Sequence, residues 1–217
     1  MLLAYLYDFD CVMHISCLGT SAIKLQTKPL EEDVTVLIDP YTPTQGNFPK
    51  SLAADLVIYT RGTKNGITLQ GTPFILSTSG EIEIKGVLVT ALATDETGHT
   101  IVRLDSEKLS IGHLGLRQSP IKEADLELLA EVDILFIPVG GIAGCYDARS
   151  AAQEIQKIEP RVIIPIGYKS DTDPDAKDIA EFMKELGLPK EDAEKKVIIK
   201  KKDLTAEDMR CIVVSKE

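Results

Sequence analysis

The chain has 217 residues, 44% of them hydrophobic and 27% charged, a balance that suits one globular domain with a sizeable core. Its 24 Lys and Arg stand against 34 Asp and Glu, for a formal net charge of −10. That sign opposes adhesion to nucleic acid or to an anionic membrane, both of which present phosphates.

The opening stretch Met1–Tyr7 is apolar but is cut short by Asp8 and Asp10. It carries no basic residue and falls short of the roughly 20 apolar residues that span a bilayer. Residues 1–12 are expected to be an extension or a misassigned start, and residues 13–217 a single domain. No targeting signal is visible, so the cytoplasm is the expected compartment.

Short apolar or alternating runs then predict strands over Met13–Leu18, Ala22–Gln26, Val34–Ile38 and Ala54–Thr60. Further strands are expected at Phe74–Leu76, Glu81–Ile84, Val87–Leu92, Thr100–Leu104 and Leu109–His113. Turn residues punctuate them, which points to antiparallel or mixed sheets packed face to face. After Ser119–Pro120 the rhythm changes. Helical spacing over Lys122–Ala130 leads into the apolar strand Asp133–Val139, which Gly140–Gly141 stops. Asp147 is placed to cap a helix whose inner face is Ala148, Ala151, Ala152, Ile155 and Ile158. Pro160 ends that helix, the strand Arg161–Ile166 follows, and a helix over Asp175–Leu186 closes at Gly187. Val197–Lys201 and Cys211–Val214 are closing strands. Strand and helix in alternation imply parallel crossovers in this half.

Four cysteines (Cys11, Cys17, Cys145 and Cys211) form no C-x-x-C pair and sit among apolar neighbours, so they are expected to be reduced core residues. The lysines Lys195, Lys196, Lys200, Lys201 and Lys202 read as a solvated sheet edge.

Several segments, in order, now carry a family likeness. Met13–Ser21 (MHISCLGTS), Val36–Tyr41 (VLIDPY), Ala54–Gly66 (ADLVIYTRGTKNG), Gly80–Gly86 (GEIEIKG), Ile111–Leu116 (IGHLGL), Val132–Gly141 (VDILFIPVGG) and Pro160–Lys169 (PRVIIPIGYK) resemble the metallo-β-lactamase superfamily, in its small prokaryotic metal-dependent hydrolases. The resemblance implies an α/β fold, an αββα four-layer sandwich, with a centre of two zinc or similar divalent ions on loops at one rim. It also implies a hydrolase.

The ligands of that centre are missing. Where the resembling proteins read H-x-H-x-D-H, this chain has Arg61, Thr63, Asn65 and Gly66. Thr94, Leu116 and Gly167 stand at the remaining ligand positions. Zinc takes imidazole, thiolate or carboxylate donors at about 2.0–2.3 Å. Threonine and asparagine are poor neutral donors, glycine and leucine offer none, and arginine repels a cation. No metal cofactor is therefore expected, and with it goes the activated water of a metal hydrolase.

Other residues remain near the same rim. Arg61, Lys64, Asp95, Glu96 and Tyr168 are expected to share the vestigial cleft, with His113 at a strand end beside it. His14 is expected at a strand position, His99 exposed in a turn, and Asp39 capping its own D-P-Y turn. Gly140–Gly141 is only superficially like a phosphate loop, since no Walker or dinucleotide pattern follows it. Ser16, Ser21 and Cys145 have no identifiable partner base. Three readings stand. The first is a non-catalytic protein that binds a small molecule or another protein, either itself or an active relative. The second is a hydrolase with a rebuilt, metal-free site around Arg61, Asp95 and His113. The third is a metal enzyme using His113, Asp95 and Asp39.

Overall fold

The structure, a computed structural model, describes residues 12–94, 98–142, 144–187, 194–204 and 209–217. In chain order its first strands are β1 (Val12–Gly19), β2 (Ala22–Thr27), β3 (Val34–Ile38), β4 (Ser51–Ala53), β5 (Leu56–Ile58) and β6 (Thr68–Gln70). There follow β7 (Phe74–Leu76), β8 (Gly80–Ile84), β9 (Val87–Ala93), β10 (Thr100–Ser106) and β11 (Leu109–His113). The second half runs α1 (Glu123–Leu128), β12 (Ile134–Pro138), α2 (Ala148–Ile158), β13 (Val162–Ile166), α3 (Ile179–Leu186), β14 (Val197–Lys200) and β15 (Arg210–Cys211).

Period-two alternation builds the main core. Met13, Ile15, Ile23, Leu25, Val36 and Ile38 lie on one face of their strands and are at most 1% exposed. They belong to a sheet of order β14-β1-β2-β3-β5-β7. Facing it is a sheet of order β15-β13-β12-β11-β10-β9-β8, which supplies Val87, Val89, Val102, Leu104, Phe136 and Ile164 to the same cluster. The second sheet is antiparallel from β8 to β11 and parallel from β11 through β12 and β13 to β15. β12 and β13 are buried along their whole length, because Ala151, Ile155, Phe182 and Met183 of α2 and α3 cover their outer face.

The expected α/β two-sheet sandwich is the architecture found, with helices of the described residues on the outer face of the second sheet. Among the described residues, the outer face of the first sheet is covered by the parallel pair β4–β6. Leu52 and Leu69 of that pair pack on a cluster of Leu18, Ala22, Leu37, Val57 and Tyr59. Pro40, Pro43 and Pro49 in the preceding segment disfavour a helix there, since proline lacks the N–H and clashes with the preceding turn.

The caps explain the helix limits. Asp147 accepts the Ser150 N–H at 2.8 Å, as its position in sequence predicts, and α2 ends on Glu159 in the left-handed region before Pro160. α3 begins later than expected, because Asp178 rather than Asp175 accepts a helix N–H, that of Ala180. α1 is shorter than expected. Its Asp125 takes the Lys122 N–H at 3.0 Å and the Arg117 guanidinium at 2.7 Å, which fixes the start at Glu123.

Two polar clamps join distant segments. Glu107, with Lys108 in a left-handed hairpin turn (φ 50° and 63°), accepts the Val12 N–H at 2.6 Å, the Thr27 hydroxyl at 3.0 Å and the Lys28 N–H. Val12 is thereby part of the domain, one residue before the expected boundary; residues 1–11 lie outside the described residues. The second clamp is Asp133, fully buried and bonded to the Ser110 N–H at 3.0 Å, Arg161 at 2.6 Å and Lys201 at 2.7 Å. Lys201 is thus a structural partner and not one more edge lysine. Cys17, Cys145 and Cys211 are buried free thiols; Cys11 lies outside the described residues. Among the described residues no helix is long and apolar enough to cross a membrane.

Removing the Asp133 carboxylate strands the buried Ser110 N–H and unpairs two cations. Asp133→Ala is expected to cost about 2–4 kcal/mol, whereas Lys201→Ala, about a third exposed, costs less than about 1 kcal/mol. Urea unfolding of the two variants checks the order.

Candidate functional site

The rim of the sandwich is organised by one carboxylate. Asp39, directly after β3, takes φ 52° and is 1% exposed. Its oxygens accept the Thr60 N–H and the Thr60 hydroxyl, each at 2.7 Å. The carboxylate therefore reaches across to the loop after β5 instead of capping its own turn. Thr60 in turn needs Gly115, because a Cβ there would lie 2.7 Å from the Thr60 Oγ1. The Thr60 carbonyl accepts the Thr100 N–H at 2.8 Å.

His113 ties the same rim from the other sheet. Its Nδ1 accepts the Gly115 N–H at 3.0 Å, so Nε2 carries the proton and donates to the Ser21 carbonyl at 3.2 Å. The ring is fully buried against Phe136. Burial pushes its pKa below 6.5, only partly offset by the Asp39 carboxylate. Both nitrogens are spent, and His113 is a brace beneath the rim.

The positions that the resemblance assigns to metal ligands have the following surroundings. The Arg61 N–H bonds to the Tyr41 hydroxyl at 2.9 Å, and that hydroxyl donates to the Gly62 carbonyl at 2.9 Å. The Arg61 guanidinium lies 4.7 Å from the centre of the Tyr41 ring, a cation–π arrangement. Thr63 and Asn65 are exposed, with Asn65 at φ 68° in the turn. A Cβ on Gly66 would fall 2.4 Å from the Tyr59 hydroxyl, and Tyr59 is 3% exposed. Gly167 takes φ 65°, and a Cβ there would meet the Cys145 sulfur at 3.1 Å and Leu116 Cδ2 at 3.4 Å. The Thr94 N–H bonds to the His99 carbonyl. Among the described residues no group of three or more His, Cys, Asp or Glu is arranged to hold a metal ion. These side chains do not fit a dimetal centre; at Gly66 the Tyr59 hydroxyl takes the space of a side chain, and at Gly167 a side chain would be tight against Cys145 on a left-handed backbone.

Above this floor lies a cleft of about 430 Å³. Arg61, Lys64 and Leu116 line it, as expected from their place in the loops, but His113 does not. Asp95 and Glu96 lie outside the described residues. Tyr168 is turned away, its hydroxyl on the Val214 carbonyl at 3.0 Å. His99, expected to be an exposed turn residue, is half-buried in the wall. Thr20, Ser21 and Asp173 also line the cleft, and nothing in the residue pattern marked them as a group. Asp173 accepts the hydroxyls of Thr20 at 2.9 Å, Thr172 at 2.8 Å and Ser170 at 3.3 Å. Ser21 is 1% exposed, and its Oγ has no hydrogen-bond partner among the described residues. Cys145 is no nucleophile at neutral pH, because burial pushes its thiol up to about 11. Gly140, the residue that gave the strand end its phosphate-loop look, answers to packing: a Cβ would lie 1.9 Å from the Gly167 carbonyl oxygen.

Two facing mixed sheets, helices on the second sheet and a site on the rim loops define a metallo-β-lactamase-type sandwich. A family model for the beta-lactamase superfamily domain matches residues 14–167, and the chain belongs to that family. It is 32% identical over 110 residues to the UPF0173 protein PF0020 of Pyrococcus furiosus, a match covering 49% of this chain and 49% of that protein. The match thus spans about half the length of that curated relative. Among solved structures, a metallo-beta-lactamase superfamily protein of Thermotoga maritima superposes with a TM-score of 0.77 at 20% identity, over 94% of this chain and 100% of that one. Igni18, a metallo hydrolase from Ignicoccus hospitalis, gives 0.61 at 17% identity over 87% and 98%. At these identities the structural likeness speaks for the fold.

Restoring a ligand at Gly66 meets the Tyr59 ring. Gly66→His is expected to destabilise the protein by about 1–3 kcal/mol, seen as a lower thermal midpoint. The His113 brace gives a second expectation. The folded state holds the ring neutral while the unfolded chain protonates below pH 6.5. Its contribution is fully present above that pH and is lost as pH falls toward the lower folded-state pKa. Unfolding free energy should fall by up to about 1.4 kcal/mol per pH unit in that window, and His113→Gln should flatten this slope in urea titrations between pH 5 and 8.

Proposed function

We propose that this chain is a non-catalytic member of the superfamily, acting in the cytoplasm, that binds a small molecule in the rim cleft. The observation that supports the reading is the packing at two positions that the resemblance assigns to metal ligands: the Tyr59 hydroxyl takes the side-chain space at Gly66, and Cys145 with Leu116 crowds Gly167. The cleft above them stays open. Its volume of about 430 Å³ is in the range that accepts small molecules. The buried free thiols agree with a reducing compartment.

The alternative, metal-free hydrolysis around Arg61, Asp95 and His113, asks His113 to act as a base. Both its nitrogens are bonded within the protein, and Cys145 is held as a neutral thiol.

Metal content and turnover test the reading together. Protein expressed with zinc, manganese and iron in the medium is expected to retain only sub-stoichiometric metal after dialysis. It is also expected to turn over no phosphodiester, lactone or β-lactam substrate. Stoichiometric metal that survives dialysis, or turnover abolished by Arg61→Ala, overturns it.

A further inference from the structure

We infer that the rim cleft holds the oxyanion of its ligand, a phosphoryl or carboxylate group, between the Arg61 guanidinium and the Ser21 hydroxyl. Lys64 stands exposed on the same wall. The inference rests on the ligand-binding reading above and names the chemistry that the cleft recognises.

Two donors in this cleft lack partners. Arg61 Nε is buried with no hydrogen-bond partner among the described residues, and so is the hydroxyl of Ser21, a residue 1% exposed. Leaving a buried donor unmade is unfavourable, and more so when it is charged. Natural folds rarely keep such groups without a use. These two come from separate segments of the first sheet, the loop after β5 and the β1–β2 turn, and line the same cavity. One acceptor carrying several oxygens would satisfy both.

The nearby carboxylates do not supply that acceptor. Asp39 spends both oxygens on Thr60, and Asp173 spends its own on three hydroxyls. Neither forms an ion pair with Arg61. The guanidinium is nonetheless held in place, stacked on Tyr41, whose hydroxyl fixes the Arg61 backbone. A planar fork immobilised on an aromatic ring, with an edge unpaired, is pre-organised for a two-oxygen acceptor. In this chain a fixed protein cation stands at the first former metal position. It can attract the same anionic groups that a metal attracts, but it supplies no activated water.

Isothermal titration calorimetry on the full chain tests this with inorganic phosphate, phenyl phosphate, succinate and, as a neutral control, glycerol. At least one of the anions is expected to bind at a single site while glycerol does not. Arg61→Met should weaken binding about tenfold or more. Arg61→Lys, which keeps the charge but loses the fork, should fall between. Ser21→Ala should weaken binding several-fold without lowering the melting temperature, because the hydroxyl it removes has no partner in the fold. Binding by the two phosphates identifies a phosphoryl ligand, and binding by succinate a carboxylate; either supports the inference. It is overturned if none of the anions binds, or if their binding survives both Arg61→Met and Ser21→Ala. Should only a neutral compound bind in the cleft, the oxyanion falls while the ligand-binding reading stands. Retained metal or turnover would remove that reading whatever the calorimetry shows. If Arg61→Met does not fold, Arg61→Lys and Ser21→Ala carry the comparison.

Discussion

The rim of this protein depends on the buried Asp39 carboxylate and its grip on Thr60. The two 2.7 Å bonds fix the start of the loop after β5, and that loop carries Arg61, Lys64 and Gly66. Thr60 then sets its neighbours: Gly115 has no side chain because Thr60 occupies the space, and Thr100 is tied to the Thr60 carbonyl. Through Gly115 the constraint reaches His113, and through His113 it reaches Ser21. Two sets of buried hydrogen bonds, linked by the close contact of Thr60 with Gly115, thus connect both sheets at the rim. Such bonds are strong where water is excluded, and the cleft above them inherits their rigidity.

That rigidity separates the fold from the chemistry its family is built for. In a metal site the ion itself would organise the loops, drawing several donors to one point. Here protein groups do the organising. A carboxylate and a threonine hold one loop, a neutral histidine braces the next, and a stacked guanidinium provides the positive charge. Tyr59, Cys145 and Leu116 lie beside Gly66 and Gly167, so packing as well as hydrogen bonding organises these loops.

Much of the architecture was legible in the residues. Val34–Ile38 and Arg161–Ile166 read as buried strands because β-branched and apolar runs bounded by turn residues have few other stable uses. The Asp147 cap and the Gly187 stop were visible for similar local reasons. The start of α3 at Asp178 was not, because Asp175 offers the same side chain three residues earlier and only the docked helix selects between them. The β4–β6 cover on the first sheet also escaped notice, since strands of three residues leave too little periodicity to detect.

At the site the division is sharper. The sequence by itself determined which donors Arg61, Thr63, Asn65, Gly66, Thr94, Leu116 and Gly167 can offer, because donor chemistry is a property of residue type; that these are the ligand positions is what the family resemblance implies. Only the tertiary structure decided what surrounds those positions. Tyr59 behind Gly66 is a near neighbour whose direction no pattern reveals. Cys145 behind Gly167 and His113 on Ser21 are contacts between residues far apart in the chain. The unpartnered hydroxyl of Ser21 is likewise invisible in a list of residues, because lacking a partner is a property of surroundings. Residue identity fixes which chemistry a side chain can perform, and the packing of distant segments fixes which of those options it has left.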